Sequence, residues 1–390
     1  MPSPFRGRWS LLAFGFAYAF FSNIGQTPFI AVFGGAIRTD FGLSNGAWGA
    51  IYFFATLASG LLIPRIGALI DTIPLRRYAV ATVIGLSIAA AMSAASVHVV
   101  TLGLAIFLLR LFGQGLMVHV AVTAMAREFD KARGRAVAIA MMGLPFGGSL
   151  FPLLGAVALT QLGWRGGWAI SALICVLFVL PLALALLRGH HGAIVGARAP
   201  FATLRFLAQK DMLLALPALT AMGFIGTAVA FHQVVIAEAK GWPLPLFASG
   251  FALFGITSIV ATLGAGWLVD RFGVRRPALV FQLPMAAACL ALLSDAPAAI
   301  FVHMALMGLS AGAYAPITTS LLAEAYGVER LGAIRATATA VTVLSTSLSP
   351  LLFGVLIDFG VSVNVLMTGL AIFALISALM LRASGLVQRR

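Results

Sequence analysis

Long apolar runs alternate with short polar stretches along the chain, and the length of the runs gives the first structural signal. A helix that crosses the hydrocarbon core of a bilayer needs about 20 mostly apolar residues. Twelve runs reach this length, so the pattern predicts an all-α membrane protein with twelve transmembrane helices. The predicted spans are residues 10–36, 46–70, 78–97, 99–126, 136–160, 166–187, 212–236, 245–269, 277–294, 297–323, 336–357 and 363–381. Because the first run continues to about Phe33, we interpret it as span one rather than as a signal peptide.

The longest polar stretch lies after the sixth run and divides the chain into two halves. We therefore predict an N-terminal six-helix bundle at residues 1–188, a cytoplasmic central loop at 189–210 and a C-terminal six-helix bundle at 211–390.

The two halves repeat each other. The loop "GALIDTIPLRR" after span two and the loop "GWLVDRFGVRR" after span eight share Gly, Asp and a basic pair at an offset of 199. A second match, at an offset of 197, aligns Gly115 with Gly312 and Arg127 with Glu324. A repeat at this spacing predicts two pseudo-symmetric bundles.

Composition supports the bilayer as solvent, and the positions of the charges orient the chain. Hydrophobic residues make up 61% of the sequence, whereas soluble domains have about 45 to 50%. Of 25 Lys and Arg, only Arg38, Arg165 and Lys240 fall outside the cytoplasmic loops and ends, and Arg110 falls within the membrane. The positive-inside rule therefore predicts cytoplasmic termini in a bacterial inner membrane. The net charge of +14 then reflects contact with lipid headgroups and needs no nucleic-acid partner.

Motifs of enzymes and of ATP-driven pumps are missing from the sequence. It contains no H-E-x-x-H and no phosphate-binding loop. Its two cysteines, Cys175 and Cys289, lie in apolar runs and do not form a metal-binding or disulfide pattern. We expect neither an enzyme nor a cofactor-binding protein, and we expect a monomer.

The paired loops carry a family resemblance. Twelve spans in two sets of six and G-x-x-x-D-x-x-x-x-R-R after spans two and eight are similar to the major facilitator superfamily, although the first loop has Thr72 and Pro74 where a basic residue and Gly are common. The resemblance implies that the halves rock about a central site and that Asp71 and Asp270 latch them shut near spans eleven and five. The alternative is that these loop charges only set the orientation. The expected gating residues are Gly67, Asp71, Arg76, Arg77, Gly266, Asp270, Arg275 and Arg276.

Spans two and five resemble those of the monocarboxylate and oxalate/formate carriers. Span five carries Gly143, Gly147, Gly148 and Pro152, a spacing that permits close helix approach. The chain departs from that branch in spans eight and eleven, which contain no cationic residue.

Arg110 is the strongest candidate for substrate contact. A cation at mid-depth in a bilayer costs about 2.5 to 3.5 kcal/mol or more, so it should face a polar cavity and meet an anion or backbone carbonyls. No acidic residue lies at comparable depth in the predicted spans. A substrate anion would complete the site; the alternative is an arginine satisfied by carbonyls and water.

Other polar side chains fall on spans one, four, seven and ten, which the resemblance implies line the central cavity. At about 100° per residue, Gln114 shares the face of Arg110, Asn23, Gln26 and Thr27 form one stripe, and His119 points away as an interhelical contact. Substrate contact and a simple hydrogen bond between helices are equally open for each residue. The expected substrate-binding residues are Arg110, Gln114, Asn23, Gln26, Thr27, His232, Gln233 and Tyr314.

These observations predict a secondary transporter of a small organic anion, similar to a monocarboxylate metabolite, coupled to protons by symport or working by exchange. His232 is the candidate proton carrier because imidazole titrates near neutral pH; His303 or the substrate's own carboxylate are the alternatives. Two other functions stay open, an exporter of amphipathic drugs or metabolites and a membrane receptor that does not transport.

Overall fold

The computed structural model describes residues 8–129, 132–189, 209–326 and 331–388. Secondary structure within these residues is helical throughout. Most of the predicted central loop, 189–210, lies outside the described residues. The chain divides into two compact units, Met1–Ser44 with Ala50–Arg198 and Asn45–Gly49 with Ala199–Arg390.

Helices of the first half follow the predicted order, but several spans consist of more than one segment. Span one contains Trp9–Phe21, the 3-10 turn Ser22–Gly25, Thr27–Val32 and Gly34–Phe41; span two Asn45–Gly67 and the 3-10 turn Ala68–Asp71; span three Leu75–Ala95; span four Val99–Leu108, the π-helix Leu109–Met117 and Val118–Glu128; spans five and six Arg133–Met141, Gly143–Ile174, the π-helix Cys175–Val179 and Leu180–Leu186.

The second half contains longer uninterrupted helices. Span seven contains Lys210–Phe231 and Gln233–Ala239; span eight Leu244–Phe272; span nine Arg275–Val280 and Leu283–Ala291; span ten Ala298–Tyr326; span eleven Leu331–Asp358; span twelve Val363–Ala383, followed by the short helix Gly385–Gln388.

Nine helical stretches among the described residues are long and apolar enough to cross a membrane. One of them, Arg133–Leu186, covers both spans five and six. The two spans meet at Gly163, whose φ of 69° breaks the helix and favours glycine. Spans one and nine are not among these nine stretches, because each of them is divided into shorter helical segments.

Two of the interruptions lie at polar residues, Gln26 in span one and His232 in span seven. In span one, Gln26 adopts an extended backbone (φ −84°, ψ 152°), and Pro28 follows at the start of the next helix, where its missing N–H is tolerated. In span seven the helix ends at His232 (φ −94°, ψ 18°) and resumes at Gln233. The apolar pattern alone predicts continuous spans at both places.

Close packing of span five against span one confirms the predicted role of its glycines. A Cβ atom on Gly143 would lie 2.2 Å from the carbonyl oxygen of Phe16, and one on Gly147 would lie 2.5 Å from that of Phe20. The backbones of the two spans are therefore in direct contact, as expected where small residues face a neighbouring helix.

A clamp joins three segments at the predicted outer end of the first unit. The Trp164 indole donates to Oδ2 of Asp40 at 2.9 Å, Arg165 forms an ion pair with the same carboxylate, and its Nη2 donates to the Ser96 carbonyl at 3.2 Å. The hydrogen bond from Arg165 lowers the pKa of the Asp40 carboxyl below its ordinary value.

The second unit has a clamp of the same composition. Nζ of Lys240 lies 2.5 Å from Oδ1 of Asp295 and donates to the Leu293 carbonyl at 3.2 Å. The Trp242 indole donates to the backbone carbonyl of Asp295 at 2.8 Å.

Candidate functional site

The break in span one lies against the π-helical segment of span four. A Cβ atom on Gly25 would lie 2.2 Å from the carbonyl oxygen of Leu109 and 2.7 Å from Cα of Gly113. Only glycine permits this backbone-to-backbone contact. Short π-helical segments inside α-helices occur frequently at functional sites, and this one carries Arg110.

Arg110 is almost completely buried, with 1% of its surface exposed. Its Nη1 donates to the carbonyl oxygen of Gly25 at 3.2 Å and to Oγ1 of Thr27 at 3.4 Å. The centre of the guanidinium lies 5.0 Å from the ring centroid of Tyr52, within the range of a cation–π contact. The carbonyl contact that the sequence left as an alternative is therefore present.

Hydrogen bonding of Arg110 is incomplete within the described residues. Its Nε is buried and has no hydrogen-bond partner there, and no described carboxylate lies within ion-pair distance of its guanidinium. Buried polar groups in proteins are nearly always paired, so an unpaired Nε on a buried cation indicates a place for a ligand oxygen or for water.

Two neutral amides lie close to this arginine. The backbone nitrogen of Gln114 lies 2.9 Å from a Cβ atom built on Gly25, which places Gln114 beside Gln26, the next residue of span one. Both glutamines are partly buried, and no hydrogen bond joins either side chain to the part of the chain that the structure describes. Two residues with carboxamide side chains, which carry donors and an acceptor, thus lie where spans one and four meet, and Arg110 contacts the Gly25 carbonyl at the same place.

Asn23 lies in a different environment from Thr27. Its Nδ2 donates to the carbonyl oxygens of Phe20 at 2.9 Å and Leu144 at 3.1 Å, which ties span one to span five. Thr27 instead contacts Arg110 in span four. The continuous stripe predicted for these residues is not formed, because the extended backbone at Gln26 resets the helical phase.

In the second unit, the candidates of span seven lie at its break. His232 is 4% exposed and Gln233 is fully buried. Nε2 of His232 lies 3.1 Å from the carbonyl oxygen of Pro350 in span eleven, and its ring lies near that of Phe353.

The candidates of span ten contact neighbouring helices of the same unit. Nδ1 of His303 lies 2.8 Å from the Ala288 carbonyl, and the Tyr314 hydroxyl donates to the Leu219 carbonyl. Their proposed contacts with substrate or protons stay predictions.

The first predicted gating loop is tied to span four. Asp71 forms an ion pair with Arg127, which also donates to the Ile70 carbonyl at 3.0 Å. The carbonyl of Gly67 lies 3.1 Å from Nε2 of His119, which confirms the interhelical role predicted for that histidine. Arg76 and Arg77 are exposed.

The second gating loop makes a similar connection. Arg275 lies 2.7 Å from Glu324 at the end of span ten. Asp270 and Arg276 are exposed, and a Cβ atom on Gly266 would have open space around it. The latch between the halves stays a prediction for both loops.

Tyr52 is the site residue that sequence reasoning missed. It is fully buried, and its hydroxyl lies 2.5 Å from Oγ1 of Thr27. A tyrosine inside an apolar span needs a partner for its hydroxyl, and this was the available signal.

Comparison with known proteins identifies the family. The profile of the Major Facilitator Superfamily matches residues 11–243 and 213–387, which together cover nearly all of the sequence. The chain belongs to this superfamily. It is a multi-pass membrane protein with the twelve-helix fold of this transporter family.

Individual similarities are more distant. The MFS transporter asaE of Aspergillus flavus is 24% identical over 229 residues, which make up 56% of this chain and 50% of asaE; the chain spans about half the length of that relative. A bacterial homologue of the human lysosomal transporter Spinster, solved in an inward-facing, occupied conformation, is 16% identical with a TM-score of 0.75 over 98% of this chain and 97% of its own. A point mutant of the nucleoside transporter NupG is 12% identical with a TM-score of 0.76 over 96% and 98%. At these identities the structures show the fold alone.

Proposed function

We propose that this chain is a secondary active transporter that carries a small organic anion, similar to a monocarboxylate metabolite, across a bacterial cytoplasmic membrane by alternating access. Arg110 is the anion anchor, and Gln26, Gln114 and Thr27 surround it. The observation that carries the proposal is a buried arginine whose Nε has no hydrogen-bond partner and whose guanidinium meets no carboxylate among the described residues.

Energetics favour a ligand with negative charge. Burying an uncompensated cation costs several kcal/mol in practice, and a carbonyl, a hydroxyl and an aromatic ring compensate only part of that cost. A carboxylate would supply the missing charge and would accept charge-assisted hydrogen bonds, which are roughly twice as strong as neutral ones.

For the driving force we propose proton coupling or exchange for a second anion. His232 is the candidate proton carrier because imidazole titrates near neutral pH and because it is buried at the break of span seven. His232→Ala should abolish proton-driven uptake and spare counterflow. An unchanged pH dependence of uptake would remove His232 from this role and leave His303 or the substrate carboxylate.

The first test is thermal unfolding of purified protein with carboxylates, neutral solutes and lipophilic cations, at pH 5.5 and 7.5. A ligand that binds only the folded state raises stability by RT ln(1 + [L]/Kd). We expect a carboxylate to stabilise wild type and the control Arg38→Ala, which removes the same charge elsewhere, but not Arg110→Ala. Equal stabilisation of Arg38→Ala and Arg110→Ala by the carboxylate would contradict the role of Arg110 as anion anchor.

The same experiments distinguish two other functions from anion transport. Stabilisation by lipophilic cations alone would favour an exporter of amphipathic compounds, for which an interior rich in Phe and Met is suited. Binding without flux into reconstituted vesicles would favour a receptor.

A further inference from the structure

The hydrogen bonds of Arg110 to the described residues all leave from one nitrogen, Nη1. A guanidinium has five N–H groups in a planar fork, and the acceptors on Nη1 fix how this fork is turned. Nε is unpaired among the described residues. The edge formed by Nε and Nη2 is therefore the part of the group that remains for a ligand.

The shape of this edge determines the chemistry that it recognises. Nε–H and one Nη2–H point in parallel, and the two oxygens of a carboxylate can accept both bonds at once. Lysine, a point charge on a flexible stem, does not offer this geometry. A carboxamide or alcohol of the same shape would offer no negative charge and fewer acceptors.

Tyr52 holds the other side of the guanidinium in two ways. Its hydroxyl lies 2.5 Å from Oγ1 of Thr27, and that hydroxyl group in turn accepts from Nη1 of Arg110. Its ring lies 5.0 Å from the guanidinium carbon. Span two thus contributes one fully buried residue that fixes both the Thr27 acceptor and the face of the cation.

We propose that Tyr52 is a positioning residue that presents the Nε–Nη2 edge of Arg110, and that this edge binds both oxygens of one substrate carboxylate. The inference rests on the proposed function, because it requires an anionic substrate. It adds the mode of binding, and it makes carboxylates the preferred class over their carboxamides.

The test measures dissociation constants of purified protein for pyruvate, lactate and benzoate, with benzamide as the uncharged analogue of benzoate. Tyr52→Phe removes one hydroxyl of the chain that orients Arg110, so carboxylate binding should weaken roughly fivefold, as for the loss of one hydrogen bond. Arg110→Lys keeps the charge but loses the fork, and binding should weaken at least about tenfold.

Tyr18→Phe is the matched control. The Tyr18 hydroxyl is buried and has no hydrogen-bond partner among the described residues, so its removal breaks no such bond and binding should stay within twofold of wild type. The preference for benzoate over benzamide should fall in Tyr52→Phe. The melting temperature of Tyr52→Phe should equal that of Tyr18→Phe. Thr27→Val removes the other hydroxyl and replaces Tyr52→Phe if the latter does not fold.

Different outcomes of these measurements would overturn the mode of carboxylate binding and the proposed function. Wild-type affinity in Arg110→Lys would overturn binding by the fork, and equal affinities in Tyr52→Phe and Tyr18→Phe would overturn the role of Tyr52; both results leave the anion transporter standing. Failure of wild type to bind any of the three acids would instead contradict the proposed function itself.

Discussion

The two halves of this transporter are alike at their ends and different in the middle. At the predicted outer end, each unit has a clamp made of a tryptophan indole, a carboxylate and a cation. In the first the acid, Asp40, lies at the end of span one, and in the second the base, Lys240, follows span seven. The ion pair is present in both units with opposite polarity, and its second partner comes from the turn between spans five and six in the first unit and from the turn between spans nine and ten in the second.

The same reversal is seen at the gating loops. In the first unit the loop supplies the acid, Asp71, and span four supplies the base, Arg127. In the second the loop supplies the base, Arg275, and span ten supplies the acid, Glu324. Each unit therefore has an ion pair at this joint, and the two pairs have opposite polarity.

The middle of the spans is not shared. At the offset of 197 that relates spans four and ten, Arg110 corresponds to Met307, which is 3% exposed within an apolar cluster that includes Met304 and Met285. Span ten is also a single α-helix where span four contains a π-helical segment. The comparison indicates that the repeat duplicates a scaffold, whereas the buried arginine of span four has no counterpart in the described span ten.

The largest effect should come from placing the arginine in the second half. Met307→Arg buries a cation without the carbonyl, hydroxyl and ring that surround Arg110, and should lower the free energy of unfolding by on the order of 3 kcal/mol. Arg110→Met should fold and lose carboxylate uptake. Denaturant unfolding compared with Met307→Leu measures the first effect, and equal stabilities would show that both centres accept charge.

A smaller loss is expected where spans one and four touch. Gly25→Ala forces a methyl group into the carbonyl of Leu109 and should cost about 1 to 3 kcal/mol of stability, with loss of uptake. The control is Gly264→Ala in span eight, where a Cβ atom meets open space and where alanine should be neutral or stabilise by up to about 1 kcal/mol. Thermal unfolding of both variants measures the contrast; equal stabilities would mean that the contact can relax.

Removing the ion pair at the first gating loop should slow transport moderately. Exchanging the two charges should restore the rate, because the second unit has a pair of that polarity. Asp71→Asn should slow turnover several-fold and barely change stability, because a partly exposed pair contributes about 0.2 to 1 kcal/mol. The double variant Asp71→Arg with Arg127→Asp reproduces the polarity of the second unit and should recover turnover. Uptake rates in proteoliposomes decide; wild-type turnover in Asp71→Asn would end the latch hypothesis.

The smallest effect concerns pH at the outer clamp. Because Arg165 lowers the pKa of Asp40, the pair stabilises the fold above the ordinary aspartate pKa of about 3.9 and loses this contribution as pH falls through the lowered value. The difference in melting temperature between wild type and Asp40→Asn should therefore be constant from pH 7 to 5 and shrink below about pH 4. A difference that stays unchanged below pH 4 would contradict this contribution of the pair.

Much of the fold could be predicted from the sequence because hydropathy and helix length are set by the thickness of the bilayer. The span count, the repeat and the burial of Arg110 follow from this physics. The breaks do not, because Gln26 and His232 interrupt apolar runs that remain apolar on both sides.

The details of the site depended on those breaks. Phase reasoning assigns Asn23 and Thr27 to one face only if the helix is continuous, and here the chain turns between them. The π-helical segment of span four also has no signature in residue type. Tyr52 was within reach of sequence reasoning, since its buried hydroxyl required a partner, but its contact with span one depends on tertiary structure.

The contact between Gly25 and Gly113 also constrains how this carrier can evolve. Neither position can acquire a side chain without separating spans one and four, so the position of Arg110 is fixed by the backbone. Gln26 and Gln114 lie beside it and make no hydrogen bond with the described chain. Changes in substrate range should therefore be gained most easily at these two glutamines, and a laboratory search for altered selectivity should begin with them.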